Sequence, residues 1–298
     1  MGRVGIVLVN YNGAGFQNDC IRTLYEMTDQ DFDIILVDNA STDHSVELMK
    51  SEFAGRGNIH YLLQKNNLGV AAGNNIGIKH SIEIGNEYTM LLNNDTELDQ
   101  NLLSELLKYA DRNTVTVPKI YHFDNKKLLW FAGGYMDWGR AAGVHTGYPE
   151  IDHGQYDQDA EATYAPTCCM LIHNSIFDKV GFMDENFFMY ADDTDFCIRL
   201  VEYGIRILYV HKGIVWHKVS SSSGGSKSKL SIYYTNRNRL YLVKKYKKSI
   251  KPVFWLRFIK SLLTGMAGAI KSTNNMYILI GVNDYLKGKM GKRINFNK

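Results

Sequence analysis

At 298 residues, with 45% hydrophobic and 22% charged side chains, the chain has room for one large α/β domain, or one domain plus an appendage, and its composition is globular. Its four cysteines (Cys20, Cys168, Cys169 and Cys197) lack C-x-x-C spacing, which argues against a zinc ribbon or a disulfide framework, and no signal peptide precedes the first apolar run, so the expected compartment is the cytoplasm. The net charge of +3 hides a split: residues 230–298 hold fifteen Lys and Arg against one acid, or +14, whereas residues 1–229 hold nineteen against thirty, or −11. An acidic body joined to a basic tail points to an anionic partner for the tail.

Val4–Val9 reads as a buried strand closing on Asn10-Tyr11-Asn12-Gly13, and a helix is expected over about Phe16–Met27. The second strand, Ile34–Val37, ends in the polar run Asp38–Asp43, where Ser41 or Thr42 could cap a helix over about Asp43–Glu52. A short strand, Ile59–Leu63, leads into the Gly- and Asn-rich stretch Asn66–Asn75 and a helix to about Ile84. The fourth apolar run, Tyr88–Leu92, breaks off at Asn93-Asn94-Asp95-Thr96-Glu97. Strands alternating with helices predict right-handed βαβ units and a mainly parallel sheet. Such sheets bind ligands beyond the carboxyl ends of their strands, where Tyr11, Asp38 and Asp95 fall, all able to meet a nucleotide. Asp95, flanked by amides, suits a hard divalent cation; the same residues also suit an Asx turn capping a helix near Leu98–Ala110. The Gly-rich stretch is neither G-x-G-x-x-G nor a P-loop, so a dinucleotide dehydrogenase or an NTPase loses support.

The middle section, Thr114–Tyr164, is rich in Gly and aromatic residues, notably Trp130, Gly133, Gly134 and Trp138. It fits either a surface that stacks on sugar rings or a β-rich excursion with tryptophans in its core. Ala165–Ile172 reads as a strand and Asn174–Val180 as a helix stopped by Gly181. Phe187-Phe188-Met189-Tyr190 then leads into Asp192-Asp193-Thr194-Asp195 at a helix start. Crowded acids raise one another's pKa, and a raised carboxylate beside an apolar wall is what a general base needs; a well-capped helix with solvated acids is the alternative. Gly204–Val210 is the next strand, and Val215-Trp216-His217 follows.

Ser220–Ser226 reads as a flexible loop, a lid or a hinge to the tail. The Arg residues of Tyr233-Tyr234-Thr235-Asn236-Arg237-Asn238-Arg239 could clamp phosphate or face solvent. In the tail, Phe254, Trp255, Phe258, Leu262, Met266 and Ile270 recur at helical spacing behind the run Lys244, Lys245, Lys247, Lys248 and Lys251. Arg257 and Lys260 make it a poor transmembrane span. A helix lying in a membrane interface suits this pattern, at the cytoplasmic face of the inner membrane; packing on the body or on a second copy in a homodimer is the alternative. No nucleic-acid partner is expected, because the basic residues accompany an amphipathic helix and not a nucleic-acid fold.

Taken together, V-L-V-N-Y-N-G, V-D-N-A-S-T-D, N-N-L-G-V-A-A-G-N-N-I-G and L-L-N-N-D resemble, in order and spacing, the family 2 glycosyltransferases of GT-A fold, closest to bacterial rhamnosyltransferases. The resemblance implies a donor set of Asn10, Tyr11, Asp38, Asn67, Gly69, Asn74 and Asn94, with Tyr11 on the base and Asp38 on the base or ribose. It implies a divalent metal, Mg or Mn, at Asp95 and His217, although Asn93 stands where the family's D-x-D has its first acid. The acidic run resembles the family's E-D-x-D-x-x-x-R, which makes Asp193 the base and puts Asp192 and Arg199, with Trp130, Gly133 and Gly134, on the acceptor side. The expected organisation is a catalytic domain over 1–226, split into a nucleotide half (1–98) and an acceptor half (99–226), and a basic helical extension over 227–298. The implied activity is inverting transfer of a sugar, L-rhamnose from dTDP-rhamnose for preference, to a saccharide or lipid-linked acceptor in cell-surface polysaccharide assembly. Another UDP- or GDP-sugar donor is the near alternative. A nucleotidyltransferase, or a membrane- or nucleic-acid-binding module, is the competitor of a different class.

Overall fold

The computed structural model describes residues 2–218, 228–269 and 276–293, with backbone alone for 264–269. Its first half alternates β1 (Val4–Asn10), α1 (Gln17–Glu26), β2 (Phe32–Asp38), α2 (Ser45–Glu52), β3 (Ile59–Leu63), α3 (Val70–Glu83) and β4 (Tyr88–Asn93). Apolar runs this short are buried on both faces, as β1 and β2 are here, and parallel strands of that kind need helices above and below. The strands pair in parallel in the order β3-β2-β1-β4. Helix α3 lies so close to β1 that a Cβ at Gly77 would stand 2.3 Å from Val7 Cγ1. Part of the Gly-rich stretch is thus a packing device.

The second half extends the same sheet with antiparallel members. It contains β5 (Thr96–Leu98), α4 (Leu102–Leu107), β6 (Thr114–His122), β7 (Leu129–Phe131), the hairpin β8 (Gly134–Asp137) and β9 (Ala142–His145), and β10 (Ala160–Ala162). There follow β11 (Cys169–His173), α5 (Ser175–Val180), α6 (Asp192–Glu202) and β12 (Arg206–His217). Beyond β4 the sheet runs β11-β6-β12-β10, with β11 antiparallel to β4 and β12 parallel to β6.

Three expectations change. The helix expected over Leu98–Ala110 is instead the strand β5 followed by the shorter α4, because Thr96–Leu98 pairs antiparallel with the far end of β12. The strand expected over Gly204–Val210 starts at Arg206 and continues through Val215-Trp216-His217, irregular between Val210 and Ile214 where the register shifts against β6. The strand expected from Ala165 starts at Cys169. Ser220–Ser226, read as a lid or hinge, lies outside the described residues.

The basic tail forms α7 (Lys229–Lys245), α8 (Val253–Ala269) and α9 (Met276–Leu286). Phe254 and Phe258, placed by the sequence on an outward face, are buried with Leu240, Leu242, Val243 and Tyr246 against Phe187 and Ile198 of the body. The apolar side chains that α8 leaves exposed are a different set: Trp255, Leu256, Ile259 and Leu263. One helix therefore carries two apolar stripes, one spent on the body and one open.

Candidate active site

The strand ends of the first half meet around one amide. Asn10 is buried at the end of β1, and its Nδ2 donates to Asp38 Oδ1 (2.8 Å) and to Ser41 and Ser45 Oγ (3.0 and 2.9 Å). Its Oδ1 accepts from Asn94 Nδ2 at 2.9 Å, so β1, β2 and β4 are knitted at their carboxyl ends. Asp38 is satisfied internally, since its other oxygen accepts from Ser41 N at 3.0 Å. Asn10 and Asp38, expected on the donor, thus frame the cavity from behind instead of lining it. Ser41 is spent on Asp38 and does not cap α2, which starts at Ser45 after His44.

The cavity itself encloses about 510 Å³. Tyr11, Asn67, Gly69, Asn74, Asn94, Asp95, Trp130, Asp192, Asp193 and His217 line it, which brings ten expected residues together. Phe188 and Tyr190, read as the apolar wall beside the acids, line it too, and so do Asn39, His145, Tyr164 and Ser231, which were not foreseen. Gly69 allows the close approach of the two halves: a Cβ there would stand 2.2 Å from Phe188 O, which accepts from Val70 N at 2.8 Å.

Asp95 and His217 are 122 positions apart and meet because β5 pairs with β12, setting Thr96 opposite His217. Both are buried, with His217 Nε2 3.1 Å from Asp95 Oδ1 and the imidazole edge-on to Trp130 at 4.7 Å. One carboxylate and one imidazole on adjacent strands are a donor set that Mn²⁺ or Mg²⁺ accepts, with phosphate oxygens and water completing the shell. Among the described residues no group of three or more His, Cys, Asp or Glu is arranged to hold a metal ion, so substrate oxygens would have to supply the other ligands. The residues present fit a divalent ion that binds with the nucleotide.

The three acids at the start of α6 have separate fates. Asp195 is fully buried away from the cavity, its Oδ2 accepting from Arg199 Nε at 3.0 Å and its Oδ1 from Tyr246 Oη at 2.9 Å and Lys245 Nζ at 2.6 Å. Arg199, expected on the acceptor side, also donates to Val180 O at 2.6 Å and does not line this cavity; it is a structural brace. Asp192 and Asp193 line the cavity, and burial pushes both carboxyls above the usual carboxylate range, the charge of Asp193 adding to the shift at Asp192. Asp193 Oδ1 accepts from Thr194 N at 2.6 Å, and its Oδ2 accepts from Tyr164 Oη at 2.8 Å. Gly133 and Gly134, also expected on the acceptor, do not line the cavity either; Gly133 has a left-handed φ of 91°, and a Cβ on Gly134 would stand 2.8 Å from Tyr164 O, so both serve the backbone path.

The turn into α6 is strained and held from the tail. Tyr190 and Ala191 both have left-handed backbones (φ 66° and 65°), costing of order 1–3 kcal/mol each. Asn238 of α7 donates to Met189 O at 2.8 Å and Tyr190 O at 2.9 Å from a fully buried position. Its neighbour Arg237, one of the two candidates for a phosphate clamp, is buried and donates to Gly291 O at 2.7 Å. The Y-Y-x-x-R-N run thus builds the wall behind the acids. Asn238 carries no local signal that could have assigned it.

A mainly parallel sheet with the Asp95–His217 pair at its carboxyl edge, and carboxylates across the same cavity, is an arrangement suited to a nucleotide-activated donor. The match to the Glycosyl transferase family 2 model over residues 5–181 makes the chain a member of that family, a glycosyltransferase using nucleotide sugars. The low-salt glycan biosynthesis hexosyltransferase Agl10 of Haloferax volcanii is 26% identical over 239 residues, 79% of this chain and 74% of that one. The dTDP-rhamnosyl transferase RfbF of Shigella flexneri is 24% identical over 247 residues, 80% of this chain and 79% of that one. Among solved structures, the mannosyltransferase PcManGT from Pyrobaculum calidifontis, in complex with GDP-Man and Mn²⁺, superposes with a TM-score of 0.61 at 13% identity, covering 97% of this chain and 88% of that one. GalNAc-T7 with UDP, GalNAc and Mn²⁺ gives 0.65 at 16% identity over 82% of this chain, which spans about half (48%) of that one. The fold is GT-A, as the motifs implied.

Proposed function

We propose that the protein is an inverting, metal-assisted hexosyltransferase whose base is Asp193. The observation that carries this reading is one cavity lined by Asp95, His217 and Asp193 together. Asp193 takes the proton of an acceptor hydroxyl, whose oxygen bonds to the anomeric carbon as the bond to the diphosphate breaks and its electron pair leaves with the diphosphate. A divalent ion bound at Asp95 and His217 supplies charge neutralisation for that leaving group. Tyr11, Asn67 and Asn74 are assigned to the donor, and Trp130 and Asp192 to the acceptor. The donor we favour is dTDP-L-rhamnose, on the strength of the motif resemblance and the likeness to RfbF, with a saccharide or lipid-linked acceptor of a cell-surface polysaccharide. Thermal-shift assays with dTDP-rhamnose, UDP-GlcNAc and GDP-mannose, each with Mn²⁺ or Mg²⁺, test it. Stabilisation by dTDP-rhamnose alone is expected; stabilisation by a UDP- or GDP-sugar instead overturns the donor, and by none of them the whole reading.

We also assign the open stripe of α8 to an anionic membrane at the cytoplasmic face. No helix among the described residues is long and apolar enough to cross a membrane. Trp255, Leu256, Ile259 and Leu263 are about half to three-quarters exposed (49, 71, 52 and 61%). Exposed Lys244, Lys247, Lys248, Lys251, Arg257 and Lys260 surround them, with no acid between 244 and 263. Each such cation near an anionic surface contributes about 1 kcal/mol, and the apolar stripe adds its burial. Replacing Leu256 and Ile259 by Ser together should leave the melting temperature unchanged and cut flotation with phosphatidylglycerol vesicles at low salt by about tenfold or more. Unchanged flotation, or a dimer that the double substitution dissolves, would make the stripe a protein interface.

A further inference from the structure

Tyr164 lies between β10 and β11, and nothing in its local sequence marks it. Its hydroxyl donates to Asp193 Oδ2 at 2.8 Å, while Asp193 Oδ1 is held by Thr194 N at 2.6 Å and Thr194 Oγ1 at 3.2 Å. Both oxygens of the carboxylate are therefore fixed. The tyrosine is fixed in turn. Its ring is buried and stacks on His145 with centroids 5.7 Å apart and planes at 27°. On the hairpin above it, a Cβ at Gly143 would stand 2.3 Å from Tyr164 Cδ2, so only a residue without a side chain lets β9 close onto the ring.

His145 is itself locked. Its Nδ1 lies 2.8 Å from Trp130 O, and a carbonyl oxygen only accepts, so Nδ1 carries the proton. Trp130 packs edge-on to both His145 (4.5 Å) and His217 (4.7 Å). A continuous wall, His217–Trp130–His145–Tyr164–Asp193, thus runs from the metal pair to the base. In the proposed reaction the anomeric carbon must lie between those two ends, so the orientation of Asp193 relative to that wall decides whether its oxygen meets the acceptor hydroxyl.

Building on the reading of Asp193 as base, we propose that Tyr164 is its positioning residue: the clamped phenol holds Asp193 Oδ2 in the one orientation that faces the acceptor, with His145 and Gly143 locking the ring. The groups facing Asp193 are Tyr164, His145, Asp192 and Cys197. Burial holds the phenol protonated well above its ordinary pKa, so it remains a donor across the working range, and burial lowers that of His145, so the ring stays neutral. The phenol stabilises the carboxylate form and opposes the upward push of burial on Asp193. Removing it must therefore raise the pKa of Asp193, and a base that works only when ionised then needs a higher pH.

The test is Tyr164→Phe in the full-length protein, which keeps the ring under Gly143 and deletes one oxygen. Two readouts are taken: the carboxyl ¹³C titration of Asp193, assigned with Asp193→Asn, and the pH profile of kcat/KM for donor turnover with whichever of dTDP-rhamnose, UDP-GlcNAc and GDP-mannose the protein uses. The expected result is an Asp193 titration and an acid limb both moved up by about one pH unit, with turnover about tenfold lower below the limb and close to wild type above it. An unmoved titration overturns the proposal, and so does a uniform loss of rate with an unmoved limb. Failure of the Phe variant to fold overturns it as well, by making Tyr164 a structural residue. The ¹³C titration needs no substrate, so a shifted pKa in a protein whose Asp193→Asn variant stays active would sink the base assignment alone.

Discussion

Asp193→Asn is expected to lower turnover by about two to four orders of magnitude, the range a positioned general base supplies, with donor affinity little changed. The amide keeps the volume of the carboxyl and can still accept from Thr194 N, which the native side chain does at 2.6 Å, so the turn into α6 should survive. What is lost is the carboxylate assigned to take the proton. Steady-state rates at saturating donor measure this. Near-normal turnover would move the base to Asp192, the other acid lining the cavity. Asp195 is no substitute: it is fully buried and committed to Arg199, Tyr246 and Lys245.

Asp95→Ala should weaken nucleotide binding in Mn²⁺ by about a hundredfold or more, since loss even of a residue that merely supports a ligand costs ten- to a hundredfold. Asp95 ends the β4–β5 corner and its oxygen is the nearest protein ligand to His217 Nε2, at 3.1 Å. With the carboxylate gone, His217 alone would have to hold the ion. The β5–β12 pairing runs through backbone atoms from Thr96 to Leu98, so the fold should persist, as an unchanged melting temperature would report. Calorimetry with dTDP, UDP or GDP in Mn²⁺ is the measurement, and unchanged affinity would remove Asp95 from the metal site.

The nucleotide half was legible because its strands are buried on both faces. Such strands appear as apolar runs that stop at polar residues, and β1, β2 and β4 extend the expected runs by no more than two residues at an end. The later strands depend on distant partners. Nothing near Thr96 announces a pairing with Val215–His217, so the Asp95–His217 contact had to be inferred from the family resemblance. The crowding of acids at the start of α6 was legible, and the choice of Asp193 among them rested on the family resemblance, but the division of labour was not, because only packing shows that Asp195 and Arg199 face the tail and α5. His145 and Tyr164 carried no pattern; they reach the cavity through the β8–β9 hairpin and an irregular stretch. In α8 the helical spacing of Phe254 and Phe258 was right, yet periodicity cannot say what a stripe packs against, and these two face the protein. The stripe open to a partner, Leu256, Ile259 and Leu263, sits nearly half a turn away around the helix.

The central claim is that one cavity binds the nucleotide sugar through a divalent ion while Asp193 performs the chemistry. Calorimetric titration of the nucleotide sugar into Asp193→Asn protein, in Mn²⁺ and again in EDTA, separates binding from reaction in one experiment. The expected result is saturable binding at wild-type affinity in Mn²⁺, without turnover, and its loss in EDTA. Equal binding in both solutions, or no binding in either, would contradict it.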